Sequence, residues 1–388
     1  MNKINVLFVY TKMVVGGSTT SLLSILNNVD YDRYEVTLLL MDSSGDLQYM
    51  INPNVNIIEA SRVNIKKRIL NPKALFYYLF AELTSRYNKN RLLKAQINST
   101  WIAKAMPQLR QKFDVAISFL EFWPQRFVAY KVHARKKICW LHIDPKEAGL
   151  KASYSRNSLA IADNIVLVSN SCKQNFDEMF PEYSNKSVVI ENILDAKIIR
   201  QLSQEKCDIK ISRDKVNFVS VCRINLASKA LDRVVMCMEH LKNQGIDIEK
   251  RIDWYIIGDG PDESTLRTMV RESGLINIFF LGKQLNPYKY EKHMDCFILP
   301  SKYEGKPMAI TEAQMLGVVP LVCRYSSAPE QINNYVDGII VPNDDYSMCI
   351  PLREIAQGKI DILKYHDEIL KKDYSNTYVI NQIFSLMD

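Results

Sequence analysis

The chain of 388 residues is 47% hydrophobic and 24% charged, an ordinary globular balance in a length that exceeds one hydrophobic core and points to two domains. Its first residues run straight into an apolar strand-like segment with no secretory-signal pattern, and no apolar run approaches the ~20 residues that cross a bilayer, so a cytoplasmic protein is expected. The net charge of +7 is uneven: residues 62–137 hold seventeen Lys and Arg against three acids, Glu82, Asp114 and Glu121, and the remainder is net acidic.

Residues 4–10 read as a strand, 19–28 as a helix entered through Gly16-Gly17-Ser18, and 34–41 as a second strand before the turn Ser43-Ser44-Gly45-Asp46. Residues 55–59 suit a third strand. The basic region supplies one or more helices, and 115–119, 137–141 and 165–168 suit further strands. Its Phe76-Tyr77-Tyr78-Leu79-Phe80 and Trp101, interleaved with cations, suit an anionic membrane surface at the inner face of the cell membrane, with a plain solvated helical face as the alternative. No nucleic-acid-binding motif accompanies the charge.

After a polar interval near 203–214 the rhythm restarts. Residues 216–221 form a strand, 230–244 a helix, 253–257 a strand and 263–274 a helix, with strands at 278–281, 296–300 and 319–322. Strands separated by helices predict an α/β protein of two Rossmann-like domains facing a cleft, with ligands outside the carboxyl ends of the strands. The boundaries expected are 1–200, 201–370 and a C-terminal segment, 371–388, in which 375–387 has apolar residues at helical spacing.

The strongest chemical signal follows the strand at 296–300. Glu304 lies in a strand-to-helix loop, Pro307 stands at the helix start, and the helix runs from about 308 to 316 before Gly317. The free amides of Met308 and Ala309 would point at an anion such as a diphosphate, and Glu312, one turn in, is placed to hold a ribose diol. Arg223 and Lys229 share one loop after the strand at 216–221, where two cations suit a leaving diphosphate. Gly16-Gly17 permits close backbone approach but is not a dinucleotide fingerprint. His142 ends a strand in Cys139-Trp140-Leu141-His142. The eight cysteines include no C-x-x-C pair and the five histidines no metal-binding spacing, so reduced cysteines, no cofactor and no metal are expected.

Together, Glu304 and Glu312 at E-x7-E spacing, Arg223 and Lys229, Gly16-Gly17, His142 and Ile257-Gly258-Asp259-Gly260-Pro261 resemble family 4 of the retaining glycosyltransferases, densely over 214–345 and more thinly before. The resemblance implies a GT-B fold whose C-terminal helix returns to the N-terminal acceptor domain. It implies metal-independent transfer of a hexose from a nucleotide-diphosphate-sugar, with a UDP-sugar favoured, to a glycan acceptor, preferably lipid-linked. The setting would be synthesis of bacterial capsule, exopolysaccharide or lipopolysaccharide. Arg223 and Lys229 would bind the diphosphate with the amides of Met308 and Ala309, and Glu312 the ribose. Glu304, with Gly305, would contact the transferred sugar, His142 would lie beside it, and Gly16-Gly17 would close over it. Gly258 would belong to a strand-end turn, and Lys283 to the segment near the base. The stretch Gly305-Lys306-Pro307 departs from the family's glycine-rich run. The rival readings are a GT-B epimerase or phosphorylase, and a non-catalytic sugar-nucleotide-binding partner.

Overall fold

The computed structural model describes residues 3–60, 76, 80, 83, 91–372, 374, 376 and 378–388. Of the expected membrane-facing stretch at 62–137, residues 76, 80, 83 and 91–137 are described and the others lie outside the described residues. Two units divide the chain, Met1–Ile193 with Thr377–Asp388, and Leu194–Asn376.

The first unit holds strands β1 (Ile4–Tyr10), β2 (Tyr34–Leu40), β3 (Asn56–Glu59), β4 (Lys112–Ser118), β5 (His133–Leu141), β6 (Asn164–Leu167) and β7 (Ser187–Val189). They form one parallel sheet in the order β3-β2-β1-β4-β5-β6-β7. Alternation along β1 sends Val6, Phe8 and Tyr10 into one buried cluster and Leu7 and Val9 into another, so the sheet is covered on both faces. The helix Gly17–Asn28 adds Leu22, Leu23, Ile25 and Leu26 to the first cluster.

The second unit repeats the pattern with β8 (Val216–Val221), β9 (Ile252–Ile257), β10 (Ile278–Gly282), β11 (Cys296–Leu299), β12 (Val319–Cys323) and β13 (Ile339–Val341), in the order β10-β9-β8-β11-β12-β13. All its pairs are parallel. Phe218, Trp254, Ile256 and Ile298 face one cluster, and Val219, Tyr255, Ile257 and Phe297 the other. In each sheet the order reverses beside the first strand, at β1/β4 and at β8/β11, and that switch opens the crevice where such sheets bind ligands.

The chain leaves the first unit after Ile193, so the polar interval at 203–214 lies within the second. The reason is packing. The helix Ala196–Ser203 places Ile199 in a cluster with Leu194, Tyr288, Met308 and Met315, and Cys207, Ile209 and Ile211 pack on the face of the second sheet. The helix Val379–Met387 rejoins the first unit. It buries Val379, Ile383 and Met387, one per turn, while Phe384 stacks on Tyr34 at 5.6 Å and the Tyr34 hydroxyl donates to Asp388 at 2.6 Å. All eight cysteines are reduced thiols; Cys207 and Cys222 are half-buried and the other six buried.

Candidate active site

The second unit's switch point is built by two loops. After β8, Asn225 organises the first: its carbonyl accepts the Lys229 amide at 2.7 Å and its side chain the Ala227 amide at 3.1 Å. Ala230 follows at φ 51, a left-handed conformation that a non-glycine residue adopts only where its surroundings impose it. After β11, the Lys302 amide donates to the Ser228 carbonyl at 2.8 Å and ties the second loop to the first. The buried Arg233 braces both. Its guanidinium donates to Asp345 at 2.9 Å, Asn343 at 2.7 Å and the Pro300 carbonyl at 3.2 Å, and Asn343 donates in turn to the Lys302 carbonyl.

Within this junction Lys229 Nζ meets Glu304 Oε1 at 2.5 Å, and Ser301 Oγ donates to the same oxygen at 2.6 Å. The Lys229 side chain is 24% exposed and that of Glu304 12%, so the pair is shielded yet open to a ligand. Burial alone would lower the Lys229 ammonium; the Glu304 carboxylate outweighs it and holds the ammonium above its ordinary value. Cys222 lies beside both, its thiol pushed up to about 12 chiefly by burial. Arg223 is exposed, with no ion-pair partner among the described residues.

The Gly258-Asp259-Gly260 turn after β9 latches the Arg223 loop. Gly258 donates to the Gly282 carbonyl at 2.8 Å, Cys222 to Ile257 at 3.1 Å and Ile224 to Asp259 at 2.8 Å. A Cβ at Gly258, where φ is 139°, would stand 1.9 Å from the Cys222 carbonyl oxygen, so only glycine allows this approach. Lys283 follows Gly282, the last residue of β10.

The helix Met308–Met315 begins after Pro307, which has extended ψ and no amide proton. Gln331 clamps this start, donating to the Pro307 carbonyl and the Thr311 hydroxyl, each at 3.0 Å, while Tyr325 donates to its Oε1 at 3.0 Å. Gly305 is buried, Lys306 and Ala309 are half-buried and Met308 is buried. Glu312 does not join Glu304. It is 7% exposed, its carboxyl pushed up to about 7 by burial, with a hydrogen bond from Tyr288 pulling partly back. Glu291 stands beside it, fully buried, and burial first and Glu312 second push its carboxyl well above the ordinary carboxylate range.

In the first unit, Gly16 precedes the helix Gly17–Asn28 in extended backbone, and a Cβ there would meet nothing within 4 Å, so the glycine leaves open space in front of the helix. His142 follows β5. Its ring stacks on Trp140 at 6.2 Å and meets Phe119 edge-on at 4.8 Å. Burial drives the imidazole down to about 3, against the Phe119 backbone and the Asn192 side chain, so it is neutral. The structure thus brings Lys229, Glu304 and Ser301 together, surrounds Glu312 with Tyr288 and Glu291, and sets His142 in the other unit. Arg233, Gln331, Tyr288 and Glu291 were not singled out from sequence. Arg233 alone left a trace, as a cation within an otherwise apolar helical stretch, Val234-Val235-Met236-Cys237-Met238.

Residues 203–349 match the family described as glycosyl transferases group 1. That match covers 147 of the 388 residues, within the second unit. An uncharacterised glycosyltransferase of Methanocaldococcus jannaschii is 24% identical over 208 residues, 51% of this chain and 50% of that protein. The amylovoran biosynthesis glycosyltransferase AmsK of Erwinia amylovora is 28% identical over 176 residues, 42% of each. The chain spans about half the length of the curated relatives it matches. A crystal structure of Anabaena Alr3699/HepE in complex with UDP and glucose superposes with a TM-score of 0.69 at 14% identity, over 98% of both chains. The chain thus has the GT-B fold, with two parallel-sheet Rossmann-like units. Among the described residues no group of three or more His, Cys, Asp or Glu is placed to hold a metal ion, and no helix is long and apolar enough to cross a membrane.

Proposed function

We propose that this protein is a retaining, metal-independent glycosyltransferase that moves a hexose from a nucleotide-diphosphate-sugar, with UDP-sugars favoured, onto a glycan acceptor in bacterial surface polysaccharide synthesis. The observation that carries the reading is the shielded Lys229–Glu304 pair at the carboxyl ends of β8 and β11. An ammonium held by one carboxylate can be handed to an arriving diphosphate, which frees the carboxylate for a sugar hydroxyl. Arg223 and the amides of Met308 and Ala309 add to the anion site, and Glu312 holds the ribose. The polysaccharide role of AmsK and the UDP and glucose bound to Alr3699/HepE support the same substrate class.

In this reading the bond between the anomeric carbon and the diphosphate oxygen breaks while the acceptor oxygen bonds to that carbon on the same face. The acceptor's proton passes to the departing phosphate oxygen. Lys229 and Arg223 stabilise the charge that develops there, and His142, being neutral, offers a hydrogen bond to the sugar rather than a charge. The acceptor is lipid-linked, and the basic stretch at 62–137 holds the enzyme to the inner face of the cell membrane.

The test is a screen of UDP-, GDP-, ADP- and dTDP-sugars, first by thermal shift and then for release of free nucleoside diphosphate with a lipid-diphosphate-linked glycan extract as acceptor. Release that depends on the acceptor supports transfer. Donor binding without any release, under every acceptor fraction, would point to a binding protein instead.

A further inference from the structure

The first unit carries a buried acid that this mechanism does not use. Glu121 lies three residues past β4, at the switch point where the β1/β4 order reverses. It is 6% exposed, and its Oε2 is fully buried with no hydrogen-bond partner of ordinary geometry among the described residues. The next residue, Phe122, has φ 68 and ψ −119, a conformation disfavoured for a side chain of this size, immediately before the helix Trp123–Lys131. A carboxylate set at a ligand-binding edge by strained backbone, with a lone pair unmet, is costly to keep for folding alone.

Its surroundings define what it accepts. The amides of Glu121, His142 and Ile143 face the carboxylate. The Tyr10 hydroxyl, close enough to feel its charge, is committed to Ser18 at 2.7 Å and Thr19 at 3.0 Å at the start of the glycine-led helix. His142 follows the adjacent strand β5, both ring nitrogens buried and likewise without a partner of ordinary geometry. No cation is among the groups acting on Glu121, and His142 is neutral, so the unmet capacity suits a neutral donor. A hydroxyl group supplies one.

We propose that Glu121 is a substrate-binding residue of the first unit, whose carboxylate receives a hydroxyl of the acceptor sugar beside His142. The assignment rests on the glycosyltransferase reading for the identity of the ligand as a sugar. The probes are the methyl glycosides of glucose, galactose, mannose and N-acetylglucosamine, read by saturation-transfer NMR with the full chain, alone and with the nucleoside diphosphate that binds it. At least one glycoside should bind the wild type. The isosteric Glu121→Gln should weaken it by about ten- to a hundredfold, the worth of one hydrogen bond to a charged group. Glu121→Asp should weaken it as well, by withdrawing the carboxylate. Neither should lower nucleotide affinity, and Glu121→Gln should melt at or above the wild-type temperature, because a purely structural acid would lose stability on replacement.

Unchanged glycoside binding in Glu121→Gln would overturn the assignment, as would a melting temperature lowered by several degrees or binding of nucleotide but of no glycoside. Failure of every nucleoside diphosphate to bind would instead strike the donor reading, while glycoside binding that still depends on Glu121 would leave this residue's role standing.

Discussion

Replacing Glu304 by Gln separates the two halves of the Lys229–Glu304 contact. The change keeps the shape and the Ser301 neighbour but removes the charge that holds Lys229 at 2.5 Å. A buried pair broken in this way costs about 3–5 kcal/mol, and an exposed pair under about 1. With side chains 24% and 12% exposed this one falls between, so a loss of about 1–3 kcal/mol is expected, with a Tm lower by about 2–12 °C for a unit of this size. The freed ammonium no longer has to leave a carboxylate when a diphosphate arrives, so nucleotide affinity should hold or rise. Turnover should fall, because the group assigned to the transferred sugar is gone. Calorimetric titration with nucleoside diphosphate, a melting curve and donor turnover measure all three. A drop in nucleotide affinity of more than about tenfold would refute the reasoning, since it would make Glu304 part of the nucleotide's own site.

Glu312 gives a pH test. Its carboxyl, raised to about 7 from 4.5, is neutral below that pH and ionised above it. If the ionised form takes the ribose hydroxyls, affinity for a nucleotide-sugar should rise about tenfold between pH 6 and 8, and Glu312→Gln should flatten the profile. For stability the sign is opposite: the unfolded chain ionises near 4.5 and the folded one near 7, so stability falls as pH rises between them, and Glu312→Gln should remove that slope from urea midpoints. Gln331→Leu removes the clamp on the Met308–Met315 helix and leaves the Pro307 carbonyl and the Tyr325 hydroxyl without this partner. It should cost about 1–3 kcal/mol by denaturant titration and weaken nucleotide binding along with it. Deleting residues 378–388 uncovers the cluster that receives Val379, Ile383 and Met387, each worth about 1.5–3 kcal/mol when buried. Two-phase calorimetry should show the first unit's transition lowered and the second unit's unchanged.

The fold was legible where the apolar pattern was long. The strands β1 and β8 have the bounds read from sequence, residue for residue, because each is a run of six or seven apolar-rich residues between clear breaks. The strands β7 and β13 were missed because three residues show no period. The polar interval at 203–214 resembled a linker because its Cys207, Ile209 and Ile211 alternate too sparsely to register as packing.

At the site, Lys229 and Glu304 could be named from their loops, but not their contact, which depends on β8 and β11 being neighbours despite two intervening strands. Gln331 and Glu291 were out of reach for a different cause. Each sits in a four-residue helix, too short to show which side is buried. Glu121 entered the sequence reading only as one of three acids in a basic stretch. Neither strand order nor the strain at Phe122 can be read from the residues that carry them.

The central claim is that the second unit binds a nucleoside diphosphate through Lys229. The most direct measurement is calorimetric titration of the wild type and of Lys229→Met with whichever of UDP, GDP, ADP or dTDP gives the largest thermal shift, alongside the matching monophosphate. The account predicts that Lys229→Met loses at least about tenfold in diphosphate affinity and much less in monophosphate affinity. Equal diphosphate affinity in the two proteins would contradict it.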